Sequence, residues 1–205
     1  MNIYEKILSI FFEQRFSKEY LSRLHLAAQH KENWIFSVFD YQQEKTRNII
    51  KYLKKYNDFI LKQELAEYMS DFIIDYLSDQ QELSYFKKPL IIPVPISKKR
   101  LQERDFNQTE SLAKYFAKNI NAQYKKNIIY KQNTTKKQAL IKNRSDRFKN
   151  VKNVFNIKDK NKQQIKNKDI IIIDDLVTTG ATLMEIKKLL KKSGARNIIA
   201  VTIAH

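Results

Sequence analysis

Apolar residues in the first part of the chain recur every three or four positions. Ile3, Ile7, Leu8, Phe11 and Phe12, then Leu21, Leu24 and Leu26, predict helix through residues 1–30. Residues 34–39 (WIFSVF) are aromatic and β-branched, which predicts a short strand. Ile49, Ile50 and Leu53 return to helical spacing over 42–56. A longer helix over 58–77 places Leu61, Leu65, Met69, Phe72, Ile73 and Tyr76 on one face, with Asp58 as its N-cap. The rhythm then changes. Residues 90–94 (LIIPV) form an unbroken apolar run between prolines, as in a buried strand. Helix follows over 107–119, with Leu112, Tyr115, Phe116 and Ile120 inward, then a strand over 127–130. Residues 134–157 are polar, basic and weakly periodic until 151–157, and read as a long loop. Four consecutive isoleucines, 170–173, predict a strand buried on both faces. Helix over 183–193 closes at Gly194, and 198–204 is the last strand. Strands alternating with helices predict an α/β fold with a parallel, Rossmann-like sheet over 87–205. Residues 1–86 read as a mostly helical N-terminal extension, with its short strand, packed on that core.

Composition narrows the chemistry. The 205 residues include no cysteine, which excludes disulfides, a thiolate nucleophile and a cysteine-ligated zinc site. The three histidines, His25, His30 and His205, are too scattered in sequence to suggest a metal cluster. With only two glycines, Gly180 and Gly194, the chain should hold few left-handed turns. The net charge of +17 is uneven: residues 1–86 carry 11 basic and 13 acidic side chains, whereas 114–168 carry 17 and 2. A uniform compositional bias would not spare one end, so this asymmetry implies a surface for anions, polyphosphate or nucleic acid. The apolar run 7–12 is too short to cross a bilayer and lacks a basic leader. Together with the missing cysteines, this predicts a cytoplasmic protein without membrane insertion.

The most informative segment is 170–182, IIIIDDLVTTGAT. A buried strand ends in Asp174 and Asp175, a short turn holds Gly180, and a helix begins. In parallel sheets ligands gather at the carboxyl ends of strands. Val177, Thr178, Thr179, Gly180, Ala181 and Thr182 offer backbone N–H groups, hydroxyls and the positive end of a helix, a seat for phosphate. The two acids beside it suit sugar hydroxyls or a hydrated Mg²⁺. Phosphate next to a vicinal diol describes a ribose 5-phosphate. The bland alternative is that Thr182-x-x-Glu185 is a capping box, with Thr182 merely capping the helix. A Walker A loop is excluded, because no lysine follows the glycine.

This segment resembles the PRPP-binding motif of type I phosphoribosyltransferases, and the chain is similar to the ComF family of competence proteins (ComFC-like). Four stretches carry the likeness: VFDYQQEKTRNIIKYLKK (38–55), IIPVPISKKRLQERDFNQTESLAKYFA (91–117), QALIKNRSDRFKNVKNVF (138–155) and 170–205. The resemblance implies a Mg²⁺–PRPP site in which Asp174 and Asp175 serve catalysis by binding the ribose hydroxyls or the metal. Residues 177–182 would hold the 5-phosphate, and Lys98, Arg100 and Arg104 would meet the pyrophosphate. Residues 134–157 would be a flexible loop closing over the ligand or touching DNA through Lys136, Lys137, Arg144 and Arg147. It also implies a role in DNA uptake during natural transformation, with single-stranded DNA and a ComFA-like helicase as partners at the inner face of the cytoplasmic membrane. Two departures stand out. Many family members begin with a four-cysteine zinc finger, which this cysteine-free chain lacks, so no zinc is expected. Asp105 occupies a position where the family usually has glycine.

Three functions remain open on the sequence. One is a DNA-handling protein whose basic 114–168 stretch is interleaved with Tyr115, Phe116, Tyr124, Tyr130, Phe148 and Phe155. Another is an active transferase on a small base or amine, releasing pyrophosphate. The third is a non-catalytic sensor of PRPP or a nucleotide.

Overall fold

A computed structural model describes residues 18–80, 86, 88–132 and 154–205. In chain order the elements are α1 (Lys18–Ser22), β1 (Ile35–Phe39), α2 (Glu44–Lys55), α3 (Phe59–Asp79), β2 (Leu90–Pro93), α4 (Lys98–Arg104) and α5 (Gln108–Asn119). These are followed by β3 (Gln123–Tyr124), β4 (Ile129–Lys131), β5 (Phe155–Ile157), α6 (Asp159–Ile165), β6 (Ile170–Leu176), α7 (Ala181–Lys192) and β7 (Ile198–Ala204). Five strands form one parallel sheet in the order β1-β7-β6-β2-β3, while β4 and β5 pair antiparallel as a separate hairpin.

The apolar runs explain the centre of this sheet. β6 and β7 are flanked on both sides, so their alternate side chains feed two cores. Ile171, Ile173, Ile199, Val201 and Ile203 pack with α2, α3 and α5, while Ile170, Ile172, Ile198 and Ala200 pack with α7. After β2 the chain goes to β3 on one side, while β6 lies on the other. The carboxyl ends of β2 and β6 therefore flank the point where strand order reverses, the place where ligands gather in open α/β sheets.

The strand predicted near 34–39 belongs to the main sheet. β1 pairs with β7 from Ile35–Ala200 to Phe39–Ala204, and Ser37 Oγ lies 2.7 Å from Thr202 Oγ1 in the buried interface. The first part of the chain thus supplies both α3, which packs on α5, and a sheet edge. The predicted helix over 1–30 is corrected within the described residues. Helix ends at Ser22, and by Leu26 the chain is extended, bridging Phe39 while the Ala27 N–H donates to Val38 O at 2.9 Å. Covering the free edge of β1 outweighs the local helical spacing.

Sequence periodicity also misses α4, β3 and α6, which are short, and β5, which forms at 155–157 within the stretch expected to be loop; residues 134–153 of that stretch lie outside the described residues. α4 buries no residue, so it has no apolar rhythm to read. The expectation of few left-handed turns is wrong as well. Among the described residues, besides Gly180 and Gly194, five take positive φ: Lys88, Asp105, Asn121, Asn127 and Asn167. Asparagine and aspartate tolerate this region better than other side chains, and here they stand in for glycine. Asp105, at φ 61, ends α4 with its N–H donating to Leu101 O, so the turn is made without the family's glycine.

One buried group works against stability. Lys62 of α3 is fully buried, with Nζ 2.5 Å from Asn57 Oδ1 and 4.4 Å from the centre of the Phe106 ring. Burial pushes its ammonium down to about 8, against the opposing pull of Asp58. The unfolded lysine holds its proton to higher pH, so stability rises as pH climbs through that interval, and at neutral pH the full cost is present. Lys62→Met should therefore stabilise the fold at pH 7 by about 1–2 kcal/mol, after allowing for the lost contacts. Urea denaturation at pH 7 and pH 10 measures this, and the gain should shrink at the higher pH.

Candidate functional site

β6 delivers its two acids to the crevice in different states. Asp175 is 6% exposed, and its Oδ2 accepts from Gln108 Nε2 at 2.8 Å and pairs with Lys54 Nζ at 3.2 Å. Gln108 in turn accepts from Arg104 Nη1 through Oε1 at 3.4 Å, which links α4 to the acid. Asp174 is half-buried, and its Oδ1 accepts the Asp175 N–H at 2.9 Å. Burial, reinforced by the neighbouring Asp175 charge, raises the Asp174 carboxyl well above the usual carboxylate range, while Lys54 pulls the other way.

The loop after β6 curls as its composition predicts. Gly180 has φ 74 and sits at the N-cap of α7, a twelve-residue helix. No side chain caps that position; Thr179 Oγ1 accepts from the Ala181 N–H at a long 3.5 Å. Thr182 lies inside the first turn of α7, so the capping-box reading is wrong: the helix begins before it. Val177 is not an anion donor either, since its N–H donates to Ala204 O at 3.0 Å and its side chain is buried. Among the described residues, no acceptor meets the amides of Thr178, Gly180 and Thr182. Unpaired amides at the positive end of a helix are what an oxyanion needs.

Two histidines far apart in sequence meet behind this loop. His30 is buried, its Nδ1 accepts the Glu32 N–H at 3.0 Å, and its ring centroid lies 4.6 Å from that of His205. Burial, with His205 adding to it, lowers the His30 pKa and favours the neutral ring. A Cβ on Gly180 would stand 3.3 Å from His30 Cε1 and 3.4 Å from Ile35 Cδ1, so β1 and its approach form the back wall of the loop.

The candidate cations divide. Lys98, Arg100 and Arg104 all fall on α4, which follows β2 and begins at the Ser97 cap; Lys98 and Arg100 are exposed and Arg104 is half-buried. Lys136, Lys137, Arg144 and Arg147 lie outside the described residues. The structure adds Lys131 at the end of β4. Burial and the charge of Arg100 lower its pKa, and Asp174 opposes this. Lys54, Gln108, Lys131 and His30 escape sequence reasoning because each arrives from a different element.

No group of three or more His, Asp or Glu side chains among the described residues could cage a metal. The Asp174 carboxylate, beside the candidate anion seat, is of a chemistry that fits a hydrated Mg²⁺ arriving with a diphosphate and keeping most of its other ligands.

The strand–loop–helix lies within residues 110–205, which match the model of the phosphoribosyl transferase domain. Competence protein F of Haemophilus influenzae is 29% identical over 188 residues, 86% of this chain and 79% of that protein. DNA utilization protein YhgH of Escherichia coli O157:H7 is 32% identical over 108 residues, 53% of this chain, which spans 45% of that relative's length. Among solved structures, a glutamine PRPP amidotransferase from B. subtilis, complexed with ADP and GMP, is 13% identical with a TM-score of 0.47. That match covers 75% of this chain and 30% of the other. The chain is thus similar to ComF-type competence and DNA utilization proteins and carries a match to the phosphoribosyl transferase domain. No helix among the described residues is long and apolar enough to cross a membrane.

Proposed function

We propose that the protein binds Mg²⁺–PRPP, or a closely related ribose 5-phosphate ligand, and uses that site while handling single-stranded DNA during uptake or utilisation. The observation that carries the first part is the uncapped, left-handed Gly180 opening α7, directly after a strand that ends in two acids. The loop amides would donate to a phosphate, Asp174 and Asp175 would accept from the neighbouring hydroxyls, and Mg²⁺ would offset charge on the diphosphate. Lys131 and the α4 cations Lys98, Arg100 and Arg104 would meet the pyrophosphate end. If a nucleophile displaces pyrophosphate here, the chain's residues position the ligand and stabilise the leaving charge. The DNA part rests on the basic 114–168 stretch and on the names of the relatives, a competence protein and a DNA utilization protein.

Calorimetric titration of the full chain with Mg²⁺–PRPP should give a saturable heat. The double variant Asp174→Ala/Asp175→Ala should lose it while keeping its circular dichroism spectrum. A wild type that gives no heat at millimolar ligand ends the reading. Release of pyrophosphate with an acceptor base or amine present would add turnover to binding.

A further inference from the structure

We infer that the outer face of the β4–β5 hairpin, where it meets α6, is a binding cleft for single-stranded DNA, separate from the PRPP site on its inner face. This rests on the DNA-handling part of the reading above and gives it a location. The open cleft encloses about 370 Å³, within the roughly 300–1,000 Å³ of small-molecule sites. Its chemistry is uniform. Lys126, Lys158 and Lys160 line it, with Asn127, Gln164 and Tyr130 among the other lining groups and no acid in the lining. Asp159, the acid of α6, points its charge elsewhere, pairing with Lys162 at 2.7 Å.

The floor is built rather than incidental. Asn161 is 8% exposed and donates through Nδ2 to Asn127 O at 2.8 Å and Ile128 O at 3.4 Å, which ties α6 to the turn before β4. Its Oδ1 accepts from Gln164 Nε2 at 3.3 Å. Asn127 takes φ 63 at that turn.

Tyr130 decides which anion fits. Of the aromatic residues interleaved with the basic stretch, Phe116 and Phe155 are buried in the cores, and Tyr115 and Tyr124 pack against one of them. Tyr124 is buried enough, beside Glu110, for its hydroxyl to be raised to about 12. Tyr130 alone among the described members is half-exposed without packing on a core, and the Lys158 ammonium lies 5.9 Å from its ring centre. A flat ring among three cations and three amides suits an unpaired base with flanking phosphates; a paired base cannot present its face. Side chains alternate along a strand, so Tyr130 and Lys131 take opposite faces, the latter near Arg100 and Asp174. One short strand therefore serves two anion sites, and DNA and PRPP bind together rather than compete.

Fluorescence anisotropy of a labelled oligo-dT, in low salt with the full chain, tests this. Tyr130→Ala should weaken binding about tenfold, and Tyr130→Phe should keep it. Lys126→Gln/Lys158→Gln/Lys160→Gln should weaken binding at least tenfold and reduce the dependence of log affinity on log salt by about two. None of these variants should change the Mg²⁺–PRPP heat, and saturating Mg²⁺–PRPP should leave wild-type oligo-dT affinity unchanged. Wild-type binding with undiminished affinity in both Tyr130→Ala and the triple variant overturns the location and leaves DNA handling intact. Competition by duplex DNA at equal strength, or by PRPP, overturns it as well. A wild type that binds no oligo-dT removes the DNA part of the proposed function and this cleft with it, while the PRPP titration stands or falls separately.

Discussion

Gly180→Val is expected to abolish Mg²⁺–PRPP binding and to lower stability by about 2–4 kcal/mol. Two effects combine. The residue's φ of 74 lies in the left-handed region, where a β-branched side chain is strained. Independently, the new Cβ meets His30 Cε1 at 3.3 Å and Ile35 Cδ1 at 3.4 Å, tighter than ordinary contact, and its methyls go deeper. Relief requires the loop to unwind from the α7 N-terminus, which removes the amides that hold the phosphate. Gly180→Asn, which tolerates the conformation better, should cost less stability. Thermal denaturation and calorimetry on both variants check the ranking; a valine variant with wild-type melting and binding would show that the loop is not held this way.

Lys54→Met should destabilise the fold at neutral pH by about 1–3 kcal/mol. It leaves the 6%-exposed Asp175 carboxylate with Gln108 as its remaining side-chain partner. Lys54 is itself about 30% exposed, which keeps the effect below that of a fully buried pair. The Asp174 carboxyl, which Lys54 helps to keep ionised, should be raised further in this variant. The folded Asp174 carboxyl then takes up a proton more readily than in the unfolded chain, so the deficit should shrink as pH falls toward 4. Adding Asp175→Asn should restore much of the lost stability, since the amide needs no cation. A double-mutant cycle by urea denaturation at pH 7 measures the coupling, and a value near zero would mean that Lys54 merely lies beside the acid.

What could be read from sequence follows from how locally each feature is encoded. β6, β7, α3 and α5 were legible because unbroken or periodic apolar runs can pack in only one way. The strand–loop–helix at 170–182 was legible because its acids, glycine and helix are contiguous. The surroundings of those acids were not. Gln108 and Lys54 look like ordinary helical positions until α2, α5 and β6 converge on Asp175. His30 looked isolated because its partner His205 is the last residue of the sequence and its neighbour Gly180 comes 150 positions later. α4 left no trace because it buries nothing, although it carries Lys98, Arg100 and Arg104. The error at 23–30 has the opposite cause: an apolar spacing that suits helix was overruled by the need to cover the edge of β1.

The pairing of β1 with β7 shapes how the molecule is made. Ser37 and Thr202 touch across 165 positions of chain, so the main sheet cannot close until its earliest strand meets its latest. During synthesis the segment around 35–39 waits, apolar and unpaired, while most of the protein is still to emerge. Such distant closure predicts high contact order and slow, cooperative folding, with the wall behind the Gly180 loop completed only at the end. Released too early from chaperone protection, the bare edge of β7 is the surface most prone to pair with another copy.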